Sequence, residues 1–334
     1  MTSPSRVERI AFSSDVLKGN PCGDPHVRTV PVYLPPGYDD GGDERYPVVF
    51  CLTGFTGRGT MLLNEDGWAP NIAQRMDRLI ESSRARPMIL VMPDCFTRYG
   101  GSQYLNSAAT GRYEDHLVTE LVPWADRAYR TRPDRRGIMG KSSGGYGAII
   151  QGMRHPEVFH AVACHSGDMD FEYCYLPDFP KFLNGIQKAG GLAAFLRSFD
   201  ASPRKKSEDL AVLNILAMAA CYSPDPSCEL GIAFPFDLTT GRLRDEVWAR
   251  WLEWDPIRIL PRREPALRSL RLLYLDCGIR DEWNLHFGAR IFAAELKTRG
   301  IPFVHEEFDD GHMQITYRYD VSLPLLSRAL WEER

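Results

Sequence analysis

Long apolar runs are missing from this sequence. No stretch approaches the roughly 20 consecutive apolar residues that a membrane-spanning helix needs. The N-terminal MTSPSRVERIAFSSDVL has neither the apolar stretch nor the cleavage site of a secretory leader. The expectation is a cytoplasmic protein without a membrane partner. A surplus of basic charge is also missing: 40 Lys and Arg stand against 44 Asp and Glu. The densest basic run, Arg204-Lys205-Lys206, is short and reads as a solvated loop, which argues against nucleic acid as a partner. No CxxC pair occurs among the eight cysteines at 22, 51, 95, 164, 174, 221, 228 and 277, which argues against a structural zinc site. Cys51, Cys164 and Cys277 fall in apolar, strand-like runs and read as buried free thiols of a reducing compartment. A Cys221–Cys228 bridge is the alternative if the chain is exported. There is no internal repeat and no low-complexity linker.

What remains is an ordinary globular composition, 44% hydrophobic and 25% charged over 334 residues, with enough chain to bury a large core. Short extended runs recur: Val30–Pro35, Val48–Thr53, Met88–Pro93, Gly137–Met139, Ala161–Ser166, Leu270–Asp276 and Val304–Phe308. Several are continuously apolar, as expected of strands buried on both faces. Helical patterns lie between them at Trp68–Ser83, Tyr113–Tyr129 (where Pro123 would kink or divide the helix), Gly144–Arg154, Leu285–Arg299 and Ser322–Glu332. This alternation predicts one α/β domain over 1–334 with a mainly parallel sheet between helices.

One segment breaks the alternation. Residues 168–256 hold no convincing strand, but carry helical patterns at Lys181–Phe199 and Asp209–Cys221 and an aromatic block, VWARWLEW, at 247–254. So long an excursion between two strands reads as a largely helical cap over one end of the sheet. The aromatic block points to a bulky or apolar substrate group, and would equally suit a homo-oligomer contact.

Residues 137–150, GIMGKSSGGYGAII, carry the densest chemistry. Gly140-Lys141-Ser142-Ser143-Gly144 fits G-x-S-x-G, weak alone but here set between a strand and a helix. Such a sharp turn strains its central residue and demands small neighbours, and it lifts Ser142 Oγ above the sheet edge at a helix N-terminus. A serine hydroxyl is a poor nucleophile without a base, usually histidine held by a carboxylate. In chain order the acid and then the histidine follow the nucleophile. His26, His116, His155 and His160 suit surface or packing roles. His165 ends a strand and could line a pocket, but precedes any acid; His286 falls on a helix and His305 in a strand. His312, in the polar loop DDGHMQ, is the base by this order. LYLDCGIRDEW offers Asp276, Asp281 and Glu282 as the acid. Asp276 finishes its strand, while Asp281 lies past Gly278 where a loop can turn toward His312, so Asp281 is favoured. Two backbone N–H donors would hold a tetrahedral intermediate: Ser143, and Phe55 in the loop TGFTGRG. No GK[ST] follows that loop, so it is a poor phosphate loop.

These residues resemble the esterase-D-like family of α/β-hydrolases, which includes feruloyl esterases, S-formylglutathione hydrolase, enterochelin esterases and mycolyl transferases. The likeness runs through VPVYLPPGYD, YPVVFCLTGFTG, LVMPDC, GRYEDHLVTELVPWADRAYRT, GIMGKSSGGYGAIIQGMRHPEVFHAVACHSG, DCGIRDE and FDDGHM. It implies an α/β-hydrolase fold with Ser142 as nucleophile, Asp281 as acid, His312 as base, and Phe55 and Ser143 at the oxyanion positions. Thr53-Gly54 stands where many members have His-Gly, and the 168–256 insertion is a larger departure.

The resulting expectation is a serine esterase acting on a small-molecule ester through an acyl-enzyme, with no metal or organic cofactor. Acyl transfer to another alcohol uses the same residues, and a non-catalytic hydrolase-like binding protein is the alternative outside enzymes. Around the site, Tyr99 and Gln103, with Tyr104 and Asn106, either contact substrate or brace the turn. Trp283 is either a pocket wall or core. Lys141 either meets an anionic substrate or, as favoured here, pairs with a nearby carboxylate.

Overall fold

The structure, a computed structural model, describes residues 2–333. Eight strands form one sheet: β1 (Arg6–Ser13), β2 (Val27–Leu34), β3 (Tyr46–Leu52), β4 (Ile89–Val91), β7 (Thr131–Lys141), β8 (Ala161–His165), β9 (Leu272–Gly278) and β10 (Val304–Phe308). A separate two-stranded ribbon, β5 (Asn106–Ser107) and β6 (Gly111–Arg112), completes the numbering. The sheet order is β1-β2-β4-β3-β7-β8-β9-β10. β2 pairs antiparallel with both β1 and β4, and all pairings from β4 to β10 are parallel.

Side-chain alternation explains why the central strands read as unbroken apolar runs. In β3, Val48, Phe50 and Leu52 enter one core while Val49 and Cys51 enter the other. In β8, Val162 and Cys164 face the first core, and Ala161 and Ala163 the second. The helices Ile72–Glu81 and Tyr319–Trp331 cover the second face through Met76, Leu79, Leu323, Leu326 and Leu330. The helices Ser143–Arg154 and Leu285–Thr298 cover the first through Tyr146, Ile149, Phe292 and Leu296. Each such fully buried side chain stabilises the fold by about 1.5–3 kcal/mol relative to exposure.

The structure departs from the sequence reading in several elements. β1, RVERIAFS, is an edge strand with one face in solvent, and its charged alternation hid it. The pattern over Lys181–Phe199 is two helices, Phe179–Ala189 and Leu192–Ala201, separated at Gly190 and Gly191, whose φ values are +85° and +108°. Residues 113–128 stay helical, and Pro123 is absorbed by a wider π turn over His116–Leu121. Proline has no N–H to donate to the turn before it, and the wider turn relaxes that conflict. A further helix, Pro256–Ser269, tolerates Pro261 and Pro265 in its interior.

Between β8 and β9 the regular structure is helical, apart from isolated bridges at Pro224↔Ile232 and Phe236↔Leu243. Two of the three rings of its aromatic block pack inward, and the block does not line the cavity described below, which corrects the expectation that it faces substrate. Trp248 and Trp251 are buried, Trp251 Nε1 donates to Ser223 Oγ at 2.8 Å, and its ring meets Tyr175, Phe179 and Tyr222 edge-on. All eight cysteines are free thiols, Cys221 and Cys228 included. No helix among the described residues is long and apolar enough to cross a membrane.

Candidate active site

The site forms where the parallel strands end. Lys141 is in register with His165, and His165 with Asp276, so β7, β8 and β9 finish at one level. Loops leaving such carboxyl ends build the crevice of open α/β sheets.

Ser142 sits between β7 and the helix Ser143–Arg154 with φ 58° and ψ −128°. This sparsely populated conformation costs on the order of 1–3 kcal/mol. Its N–H donates to His165 O at 2.9 Å, and its carbonyl accepts from Tyr146 N at 2.9 Å. Close approach explains the flanking glycines. A Cβ on Gly140 would stand 2.4 Å from the Gly144 carbonyl carbon, and one on Gly144 would stand 2.6 Å from Leu52 O.

Asp281 and His312 come from loops after adjacent strands, with Gly278 of β9 beside Phe308 of β10. Backbone bonds stitch those loops together: Ile279 N to Phe308 O at 3.0 Å, and Arg280 N to Asp310 O at 3.0 Å. Both side chains are buried, and His312 Nδ1 lies 2.7 Å from Asp281 Oδ2. Asp281 Oδ1 accepts the Trp283 N–H at 2.9 Å. Burial opposes ionisation of Asp281, but the hydrogen bonds from His312 and the backbone amides hold its carboxyl below the ordinary range. The Trp283 ring lies 4.7 Å from the His312 ring.

A cavity of about 460 Å³ brings these groups to one surface. Ser142, Ser143, His312, Phe55, Lys141 and Trp283 all line it. Among the described residues the backbone N–H groups of Phe55 and Ser143 have no acceptor. The Phe55 loop is braced from outside: Thr56 N donates to Gly100 O at 2.7 Å, and Gly100, at φ +105°, leaves room for the Phe55 ring.

Two expected contacts lie elsewhere. Tyr99 and Gln103 are buried and do not line the cavity. Gln103 Nε2 is 3.0 Å from Asp168 Oδ2 and 2.8 Å from the Tyr222 hydroxyl. It supports the cavity wall from behind, because Asp168 does line the cavity. Burial pushes the Asp168 carboxyl up, against the hydrogen bonds from Gln103 and Tyr175. Lys141 lines the cavity without a carboxylate in ion-pair range among the described residues, so the favoured structural pair is not formed.

His165 is also removed from the cavity. Its Nδ1 meets Asp276 Oδ1 at 2.7 Å and its Nε2 meets Ser322 Oγ at 2.9 Å. This Ser–His–Asp chain is fully buried and closed by Arg318, whose Nε donates to Asp276 Oδ2 at 2.8 Å. Its place is structural. His116 and His155 likewise pack against Glu120 and Glu114.

The sequence reading makes the insertion a cap but names none of the residues that it gives to the wall. Ser207, Leu210, Ala211 and Asn214 of the helix Ser207–Tyr222 line the cavity, as do Asp178 and Lys181, which pair at 2.7 Å. The spacing of 207, 210, 211 and 214 is one helical face, and that periodicity was the available signal.

The mostly parallel eight-stranded sheet, flanked by helices and ending in this crevice, has the α/β-hydrolase fold. Residues 25–319 match the sequence profile of the family described as "Putative esterase", and the chain belongs to that family. It is 31% identical over 140 residues to an endo-1,4-beta-xylanase/feruloyl esterase of Xylanibacter ruminicola, a match covering 40% of this chain and 18% of that protein. The chain thus spans under a fifth of the length of that curated relative. Among solved structures it is similar to a ferulic acid esterase (TM-score 0.63, 22% identity, 98% of this chain and 99% of the other). It is also similar to an S-formylglutathione hydrolase from Staphylococcus aureus (TM-score 0.59, 14% identity, 97% of this chain and 100% of the other).

Proposed function

We propose that this chain hydrolyses carboxylic esters through a Ser142–His312–Asp281 triad and an acyl-enzyme. The observation that carries the reading is the 2.7 Å His312–Asp281 hydrogen bond at a cavity that Ser142 shares. Family membership supports the reaction class.

In this mechanism Asp281 accepts a hydrogen bond from the Nδ1–H of His312, which leaves Nε2 as the base. Nε2 takes the Ser142 proton as Oγ attacks the acyl carbonyl. The strained backbone at Ser142 holds Oγ out from the helix that follows. The carbonyl oxygen becomes an oxyanion, held by the Phe55 and Ser143 amides, each worth about 3 kcal/mol in the transition state. As this intermediate collapses, His312 returns the proton to the leaving alcohol. Water then attacks the acyl-enzyme with His312 again as base, and His312 returns that proton to Ser142 Oγ as the second intermediate breaks down and releases the acid. Lowering of the Asp281 pKa suits a group that stays ionised beside the imidazolium.

The segment between β8 and β9 acts as a cap in this reading, because its helices supply Lys181, Leu210 and Asn214 to the wall. Phe55, Trp283, Leu210 and Met313 give that wall apolar surface, which supports an ester with an apolar portion beside the scissile bond.

Ser142→Ala tests the proposal. The expected result is a fall in kcat of roughly 10⁴-fold or more on short p-nitrophenyl esters, with loss of labelling by a fluorophosphonate probe. Near-full activity in the folded variant would remove the mechanism.

A further inference from the structure

Charge on the cavity wall is almost fully accounted for by internal contacts. Lys181 Nζ is 2.7 Å from Asp178 Oδ1. Asp168 Oδ2 accepts from Gln103 and from the Tyr175 hydroxyl, the latter at 2.8 Å. Glu282 Oε2 accepts the backbone N–H of His312 at 2.7 Å. Lys141 is the exception: among the described residues its ammonium has neither a hydrogen bond nor an ion pair.

Its position makes that exception chemical rather than incidental. Lys141 is the last residue of β7, half-buried, and directly precedes Ser142. The two acids nearest in the electrostatic sense, Asp281 and Glu282, are already engaged, one with His312 Nδ1 and the other with His312 N. A desolvated cation without a partner costs stability, and a neutral side chain would fill the same place without that cost. An anionic group entering with the substrate would repay it, through a charge-assisted hydrogen bond strengthened by exclusion of water.

We propose that Lys141 is a specificity-determining residue, and that the preferred substrate is an ester carrying a carboxylate within reach of the reacting acyl group. This rests on the esterase reading above. The carboxylate belongs either to the acyl part, as in a half-ester of a dicarboxylic acid, or to the alcohol part, as in an acylated hydroxy acid. Recognition by the ammonium is the same in both.

The test compares matched esters on the wild type, Lys141→Met and Lys141→Arg. For the acyl side, monomethyl adipate is set against methyl hexanoate; for the alcohol side, 4-acetoxybutyrate is set against butyl acetate. The readout is the anionic-to-neutral ratio of kcat/KM. In the wild type the ratio is expected above one in the arm that carries the true source. Lys141→Met should lower that ratio roughly 10- to 100-fold, mainly through KM, as expected for losing a hydrogen bond to a charged group. Lys141→Arg should retain most of it. A wild-type ratio below one in both arms overturns the inference whatever the variants do. So does an unchanged ratio in Lys141→Met while neutral esters are still cleaved with dependence on Ser142. A wild type that cleaves none of the four esters and resists a fluorophosphonate probe overturns the esterase reading itself.

Discussion

Glu282 holds the backbone of His312: its Oε2 accepts the His312 N–H at 2.7 Å, across an interval of thirty residues. The neighbouring Asp281 binds the same histidine through its ring. Two consecutive acids therefore fix one residue, one by its main chain and one by its side chain. Gly311 lies so near that a Cβ there would stand 2.8 Å from Glu282 Oε1.

That arrangement separates two roles for Glu282. Gln keeps an acceptor oxygen, whereas Ala removes it. Glu282→Gln is expected to retain kcat within a few-fold, and Glu282→Ala to lose about tenfold through misplacement of the imidazole. Steady-state kinetics on both variants checks this, and equal losses in Gln and Ala would exclude positioning by the acceptor.

Asp281→Asn retains an oxygen that can accept the Trp283 N–H, now made by Oδ1 at 2.9 Å. It presents an amide to His312 Nδ1 and so favours the wrong tautomer. By analogy with the triad template in serine proteases, kcat should fall by about 10³- to 10⁴-fold with little change in Tm. A large drop in Tm would instead mark Asp281 as a mainly structural residue.

Gly100→Ala should disturb the Phe55 amide without touching Ser142, His312 or Asp281. The residue has φ +105°, and an added Cβ would stand 2.6 Å from the Phe55 ring. We expect kcat to fall about tenfold or more, since one displaced oxyanion donor costs up to a few kcal/mol. Thermal unfolding should show a modest loss of Tm from backbone strain. Wild-type kcat in this variant would count against Phe55 as a donor.

Asp276 sets an acid limit on stability. Burial disfavours its charge, but His165, Arg318 and Tyr274 outweigh burial and hold the carboxyl below its ordinary value. A depressed folded-state pKa gives stability that is fully present above the unfolded value of about 3.9 and is lost as pH falls toward the folded value. Arg318→Met removes the guanidinium 2.8 Å from Asp276. Stability near neutral pH should drop by about 3 kcal/mol, as for other broken buried pairs. The acid-unfolding midpoint, followed by circular dichroism, should move to higher pH. An unmoved midpoint would mean that another carboxylate governs acid unfolding.

The sequence alone determined the parallel strands, the turn at Ser142 and the placing of Asp281 and His312 in the loops after β9 and β10. These depend on short-range rules: strands buried on two faces must be apolar throughout, and a turn this tight admits only small neighbours. The edge strand β1 escaped because one of its faces is wet and charged. Tertiary structure decided the rest. Gln103 meets Tyr222 across 119 positions and so belongs to the wall's support, not its surface. In the aromatic block of the insertion Trp248 and Trp251 turned inward because they found other rings to bury against. His165 and His312 both stand beside an aspartate at similar distances. Only the packing around them seals one pair in the core and opens the other to a cavity, because solvent access depends on what the whole chain lays over a residue and not on its neighbours in sequence.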